Sequence, residues 1–206
     1  MSSEISTSTF EKSNLVDLMA DASEFGLDQL IENEAIKDIP IIGGVVKCLK
    51  LSSNISDFLY AKKLSKFLAK ISETSNEQRV KFAREISDNP NRLYENILLL
   101  LDKTDDMQKS VWFGQIISHA IIGNLKVDEA LRLCAMISKC YSIDLHFLSN
   151  SESGLGIPVD IAESLTSIGF LQRSFIDDPF LSVQTREIYQ LNDWGRKIIN
   201  LLQLQT

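Results

Sequence analysis

The sequence contains few of the residues on which most catalytic and metal sites depend. Its 206 residues include two histidines, three cysteines, nine glycines and four prolines. So few cysteines exclude a disulfide scaffold, and so little glycine and proline excludes a collagen-like chain. The sequence also lacks a glycine-rich phosphate loop, a dinucleotide-binding fingerprint, paired cysteines at zinc spacing and a nucleophile elbow. We therefore expect no catalytic residues, no metal and no cofactor, so that the protein is not an enzyme.

The scarce reactive residues are interpreted as structural. The two histidines, His119 and His146, lie in apolar helical stretches. The three cysteines are interpreted as free thiols of a reducing compartment, where disulfides are rare: Cys48, Cys134 and Cys140. The carboxylate pair Asp105-Asp106 fits a helix cap, and Asp177-Asp178 fits a turn before Pro179. An enzyme whose site is scattered through the sequence stays open as an alternative.

Long apolar runs are also missing. A spanning helix needs about 20 predominantly apolar residues, and the best stretch, 36–60, is interrupted by lysine and aspartate. The first residues show neither the basic nor the apolar part of a secretory signal. We expect a cytoplasmic protein that does not span a membrane, although it can lie peripheral to the inner membrane.

Charge is distributed unevenly around a formal net charge of −7. Residues 1–40 carry nine acids and two lysines, and residues 41–70 carry six lysines and one aspartate. The remaining 136 residues carry 18 acids and 13 bases. The acidic total opposes general nucleic-acid binding, which needs a basic field, whereas the basic block permits contact with one anionic partner.

Apolar residues recur at helical spacing through the first three quarters of the chain. The pattern predicts a disordered tail over 1–14 and a helical bundle over 15–149, with helices near 15–31, 55–71, 76–88, 93–101, 107–122, 127–141 and 142–148. Ser75 and Gln78 fit a capping box. The segment 107–122 is apolar around most of its circumference, which is typical of a helix at the centre of a bundle.

The pattern changes after a polar linker near 149–156. A helix beginning at Pro158 and ending at Gly169 precedes two strands, 170–175 and 183–191, and a last helix over 194–202 capped by Asn192 or Asp193. This order fits a small winged-helix-like module over 150–206. The predicted fold class is therefore mainly α, a multi-helix bundle followed by a winged-helix-like α+β module.

Two sets of basic residues are candidates for partner contact. The first follows the apolar segment at 39–46 and can face an anionic membrane surface or an acidic protein: Lys47, Lys50, Lys62, Lys63, Lys66 and Lys70. The acidic leader before it can mask this surface, and a merely solvated helix face is the alternative. A protein partner is expected, and the sequence leaves the oligomeric state open.

The second set lies in the predicted winged-helix-like module and offers possible nucleic-acid contacts: Arg173, Arg186, Arg196 and Lys197. The sequence from residue 155 onward contains six acidic and four basic residues, so we expect the module to bind DNA phosphates poorly. Protein binding is favoured, and a DNA-binding transcriptional regulator is kept as the alternative.

Several stretches resemble a class of bacterial helical proteins with a winged-helix-like tail. They are 39–43, 58–68, 99–109, 164–171 and 189–199. The layout of helical body plus tail resembles the abortive-infection alpha family of phage-defence proteins. The resemblance implies a bacterial, intracellular interaction protein that acts in phage defence by protein–protein or membrane-surface contact, and it supplies no catalytic residues.

Overall fold

The computed structural model describes residues 55–86, 90–149, 156–177 and 185–203. Within these ranges the protein is mainly helical, as predicted, with eight helices and two strands. They are α1 (Ile55–Ser72), α2 (Asn76–Glu85), α3 (Pro90–Lys103), α4 (Met107–Ile121), α5 (Val127–Ser138), α6 (Ser142–Ser149), α7 (Val159–Ile168), β1 (Leu171–Asp177), β2 (Thr185–Leu191) and α8 (Asp193–Leu202). The predicted tail, the predicted helix 15–31, Lys47, Cys48 and Lys50 lie outside the described residues.

Helix caps account for most of the boundaries. The predicted capping box is confirmed, since Ser75 N donates to Gln78 Oε1 at 2.8 Å and Gln78 N donates to Ser75 Oγ at 3.2 Å. Asp106 caps α4 by accepting from Gln108 N at 2.8 Å. Asn192 caps α8 by accepting from Gly195 N at 3.0 Å. These contacts decide between the neighbouring cap residues that the sequence left open.

Several predicted boundaries differ from the observed ones by one to three residues, and the backbone explains two of these differences. Pro158 lies outside α7 because its ψ of 141° is extended, and its carbonyl accepts the first helical bond from Ala162 N at 2.9 Å. The predicted helix 127–141 ends at Ser138, because Lys139 N and Cys140 N bond three residues back and tighten the last turn. Neither shift changes the order of the elements.

Helix α4 lies at the centre of the helical part, as its apolar circumference predicts. It packs against α1, α2, α5 and α8. Gly114 permits a close approach to α1, since a Cβ there would lie 2.6 Å from Phe67 O and 2.7 Å from Lys70 Cβ. Ser118 Oγ donates to Lys70 O at 3.0 Å beside this contact. The two helices therefore meet at backbone distance, which fixes the position of α1.

The two strands form an antiparallel hairpin whose register runs from Leu171 opposite Leu191 to Asp177 opposite Thr185. Helix α7 enters it through Gly169, whose φ of 100° is readily adopted by glycine. Asn192 Nδ2 donates to Gly169 O at 2.8 Å. This bond joins the residue after β2 to the chain just before β1, at the open end of the hairpin. The predicted order of helix, strand, strand and helix is present.

One apolar core runs through all of these elements. It includes buried side chains from α1 to α8, such as Phe67, Phe113, Leu133, Phe170 and Ile198. The last elements, which are α7, the hairpin and α8, therefore pack on the helical part formed by α1 to α6 and share its interior. Among the described helices, none combines the length and the apolar character needed to cross a membrane.

Candidate functional site

The lysines of α1 are half-buried, and one of them has a clear internal role. Lys63 Nζ donates to Thr104 O at 2.5 Å and to Asp102 O at 3.2 Å. These carbonyls lie at the carboxyl end of α3, where a helix leaves acceptors without internal partners. Lys63 therefore joins α1 to the end of α3, and its charge is used within the protein.

The other lysines of this helix are also engaged. Lys70 forms an ion pair with Glu73 at 2.7 Å. Lys62 and Lys66 are half-buried and have interactions of their own. The structure thus places four of the six predicted contact lysines on one helix, where each has an interaction within the protein.

The basic residues of the hairpin and α8 lie beside carboxylates. Arg173 is 3.6 Å from Glu163, and Lys197 Nζ donates to Glu129 at 2.7 Å. Arg196 donates to Leu191 O at 2.7 Å and to Asp193 at 3.2 Å.

Arg186 belongs to β2, where its backbone is opposite Ile176, and its side chain is outside the described set. The three described cations each have their own partner within the protein. These carboxylates lower the positive potential that the three cations can offer to DNA phosphates.

The reactive side chains show no arrangement for nucleophilic or metal chemistry within the described ranges. Burial raises the pKa of both described thiols, that of Cys140 to about 12, so neither is a thiolate at neutral pH. His146 meets the Trp112 ring edge-on with centroids 6.3 Å apart. Within these ranges no group of three metal-ligating side chains comes together.

The sequence pattern did not indicate an ion pair in which the lysine is buried and the carboxylate is exposed. The Lys109 side chain is 2% exposed, and its Nζ donates to Asp105 Oδ1 at 2.6 Å, while the Asp105 side chain is 66% exposed. The hydrogen bond from Lys109 holds the pKa of Asp105 below its ordinary value. The four-residue spacing was the available signal, since Asp105 precedes α4 and Lys109 lies in the first turn of that helix.

Three large apolar side chains are exposed where α6 and α7 begin. Tyr141 is 71% exposed, Ile143 68% and Val159 64%. The pKa of Asp144 in α6 is raised by burial and then by the Asp160 carboxylate of α7. We call Tyr141, Ile143 and Val159 the apolar patch. Sequence periodicity did not single it out because the same residue types also fill the core.

Comparison of the chain with models of known protein families, with curated proteins and with solved structures finds no match in any of the three. Function is therefore inferred from the geometry of the chain itself.

Proposed function

We propose that the protein is a non-enzymatic interaction protein that binds a protein partner through the apolar patch. The observation that carries this proposal is the exposure of Tyr141, Ile143 and Val159 at the starts of α6 and α7, which follow one another in the chain. Large apolar side chains that stay exposed to water cost free energy, and a partner that covers them removes this cost. Tyrosine is also common at the centre of protein interfaces.

The charges around the patch indicate what the partner offers. Asp160 and Glu163 are exposed on α7, next to Val159. We expect a partner with an apolar centre and a basic rim, because opposite charges at the edge of an interface guide association.

The order α5, α6, α7, hairpin and α8 supports a winged-helix-like module within this proposal. In DNA-binding modules of that kind the helix before the wing enters the major groove and needs basic side chains. Here that helix is α7, and its charged residues are Asp160 and Glu163. Carboxylates repel phosphates, so this module fits a protein partner better than DNA.

Three further statements stay predictions. Contact of the α1 lysines with an anionic membrane surface depends on their sequence pattern. A role in phage defence depends on the resemblance to the abortive-infection alpha family. A cytoplasmic location depends on the composition.

The test replaces Ile143 with aspartate and compares the variant with Leu99→Asp, which puts the same charge at an exposed leucine of α3. Both tagged proteins and the wild type capture proteins from a lysate of the source cell, and quantitative mass spectrometry compares the sets. We expect a partner that the wild type and Leu99→Asp retain and that Ile143→Asp loses.

Circular dichroism checks that both variants keep the helical content and melting temperature of the wild type, as is usual for exposed positions. Capture of the same proteins by Ile143→Asp and the wild type would contradict the proposal. A partner lost from both variants would move the interface away from the patch.

A further inference from the structure

A groove of about 490 Å³ lies between α5 and α7. Helix α5 lines it with Arg132 and Met136, Lys139 follows at the end of that helix, and α7 lines it with Ser164, Ser167 and Ile168. The volume lies within the range of small-molecule sites, which is about 300–1,000 Å³.

Helical spacing explains why these residues face one another. Arg132, Met136 and Lys139 are four and three residues apart, and Ser164, Ser167 and Ile168 follow the same rule, so each set lies on one side of its helix. The groove thus has cations and a thioether on one wall and hydroxyl groups and an apolar side chain on the other.

The two cations of the groove differ from those of the hairpin and α8. In the described part of the chain, neither Arg132 nor Lys139 forms an ion pair. The Arg132 guanidinium lies 4.8 Å from the centroid of the Trp194 ring, which orients it without neutralising its charge. Both charges remain available to an anion that enters the groove.

We propose that this groove binds a small organic anion. Its anionic and polar ends contact Arg132 and Lys139, and its apolar part lies on Met136 and Ile168. The two cations are seven residues apart along one helix and its cap, or about 10 Å along the axis, so an elongated ligand reaches both. Arginine binds phosphate and carboxylate through paired hydrogen bonds, and the Ser164 and Ser167 hydroxyls supply polar contacts on the opposite wall.

The test titrates the full chain with AMP, which carries a phosphate, and with decanedioate, which carries two carboxylates about 10 Å apart. Adenosine is the uncharged control. Trp194 reports binding through its fluorescence because Arg132 lies on its ring. Calorimetry measures the same affinity without depending on that ring. We expect saturable binding of at least one anionic probe and none of adenosine, and the preferred probe distinguishes phosphate from carboxylate recognition.

Substitution then locates the site. Arg132→Gln and Lys139→Gln are each expected to raise the dissociation constant by about tenfold, because each removes a charge-assisted contact. Arg84→Gln removes the same charge from an exposed position of α2 and is expected to leave binding unchanged. The proposal is overturned if neither anionic probe binds at millimolar concentration, or if Arg84→Gln weakens binding as much as Arg132→Gln.

Discussion

A lysine ammonium is costly to remove from water, and Lys109 is buried with a single carboxylate as its hydrogen-bond partner. The partner, Asp105, is largely exposed and keeps most of its own hydration. Such a pair recovers only part of the desolvation cost of the lysine. At the scale of single residues, the burial of the Lys109 ammonium is therefore the feature that most clearly lowers the free energy of unfolding.

Replacement of Lys109 by methionine is expected to raise the free energy of unfolding by about 1 kcal/mol or more, since an apolar side chain of similar volume avoids the desolvation cost. Asp105→Asn is expected to lower it by about 1–2 kcal/mol, because the buried ammonium loses its anionic partner. Urea unfolding measures both changes. Glu95→Gln, which neutralises an exposed carboxylate of α3, is the control and should change little.

The effect of Asp105→Asn depends on pH with a definite sign. The folded pKa of Asp105 lies below its ordinary value of 3.8, so the pair contributes its full stability above that pH. This contribution is lost as pH falls through the folded pKa. The difference between wild type and Asp105→Asn should therefore shrink below about pH 3.8, and a constant difference across this range would contradict the role of the ion pair.

At the scale of elements, Lys63 connects two helices that are far apart in the sequence. Its bonds to Asp102 O and Thr104 O satisfy carbonyls at the end of α3 and hold α1 beside it. A lysine in this position serves as a cap supplied by another helix. The same side chain was predicted from the sequence to contact a membrane or an acidic partner.

Lys63→Met separates the two roles. The variant keeps most of the aliphatic stem but loses the ammonium, and we expect the free energy of unfolding to fall by about 1 kcal/mol. Lys103→Met, at an exposed lysine at the end of α3, is the control and should have little effect. Unchanged stability of Lys63→Met together with weaker binding to vesicles of anionic lipid would instead favour the membrane role.

Local signals explain how much of this architecture the sequence could predict. The capping box at Ser75, the stop at Gly169 and the central position of 107–122 depend on neighbouring residues, so they were predictable. The pair Glu129–Lys197 joins residues 68 positions apart, and the groove between α5 and α7 depends on how two helices pack. Such contacts leave no periodic signal, which is why the apolar patch and the groove appeared only with the structure.

At the scale of the whole molecule, the shared core bears on how the chain unfolds. The sequence suggests a boundary near residue 150, but Phe170 and Ile198 belong to the same buried cluster as Phe67 and Phe113. Glu129 reinforces this connection, because it accepts hydrogen bonds from Lys126 N at the start of its own helix and from Lys197 in α8. A continuous core favours one cooperative transition over two independent ones.

The two tryptophans can test whether the helices α1 to α8 and the hairpin unfold together in one transition. Trp112 is buried in α4, whereas Trp194 lies in α8 with Arg132 4.8 Å and Lys197 5.1 Å from its ring centroid, so each reports a different part. Fluorescence of Trp194→Phe then follows the helical part, and that of Trp112→Phe follows the last elements. In each variant we expect the fluorescence midpoint in urea to coincide with the midpoint of helix loss by circular dichroism.

A tryptophan signal in Trp112→Phe that changes at a lower urea concentration than the helical signal would show that the last elements unfold first. Coincident midpoints in both variants would mean that the last elements cannot detach without loss of the core, because α7, the hairpin and α8 are stabilised by the same buried side chains as the helical part.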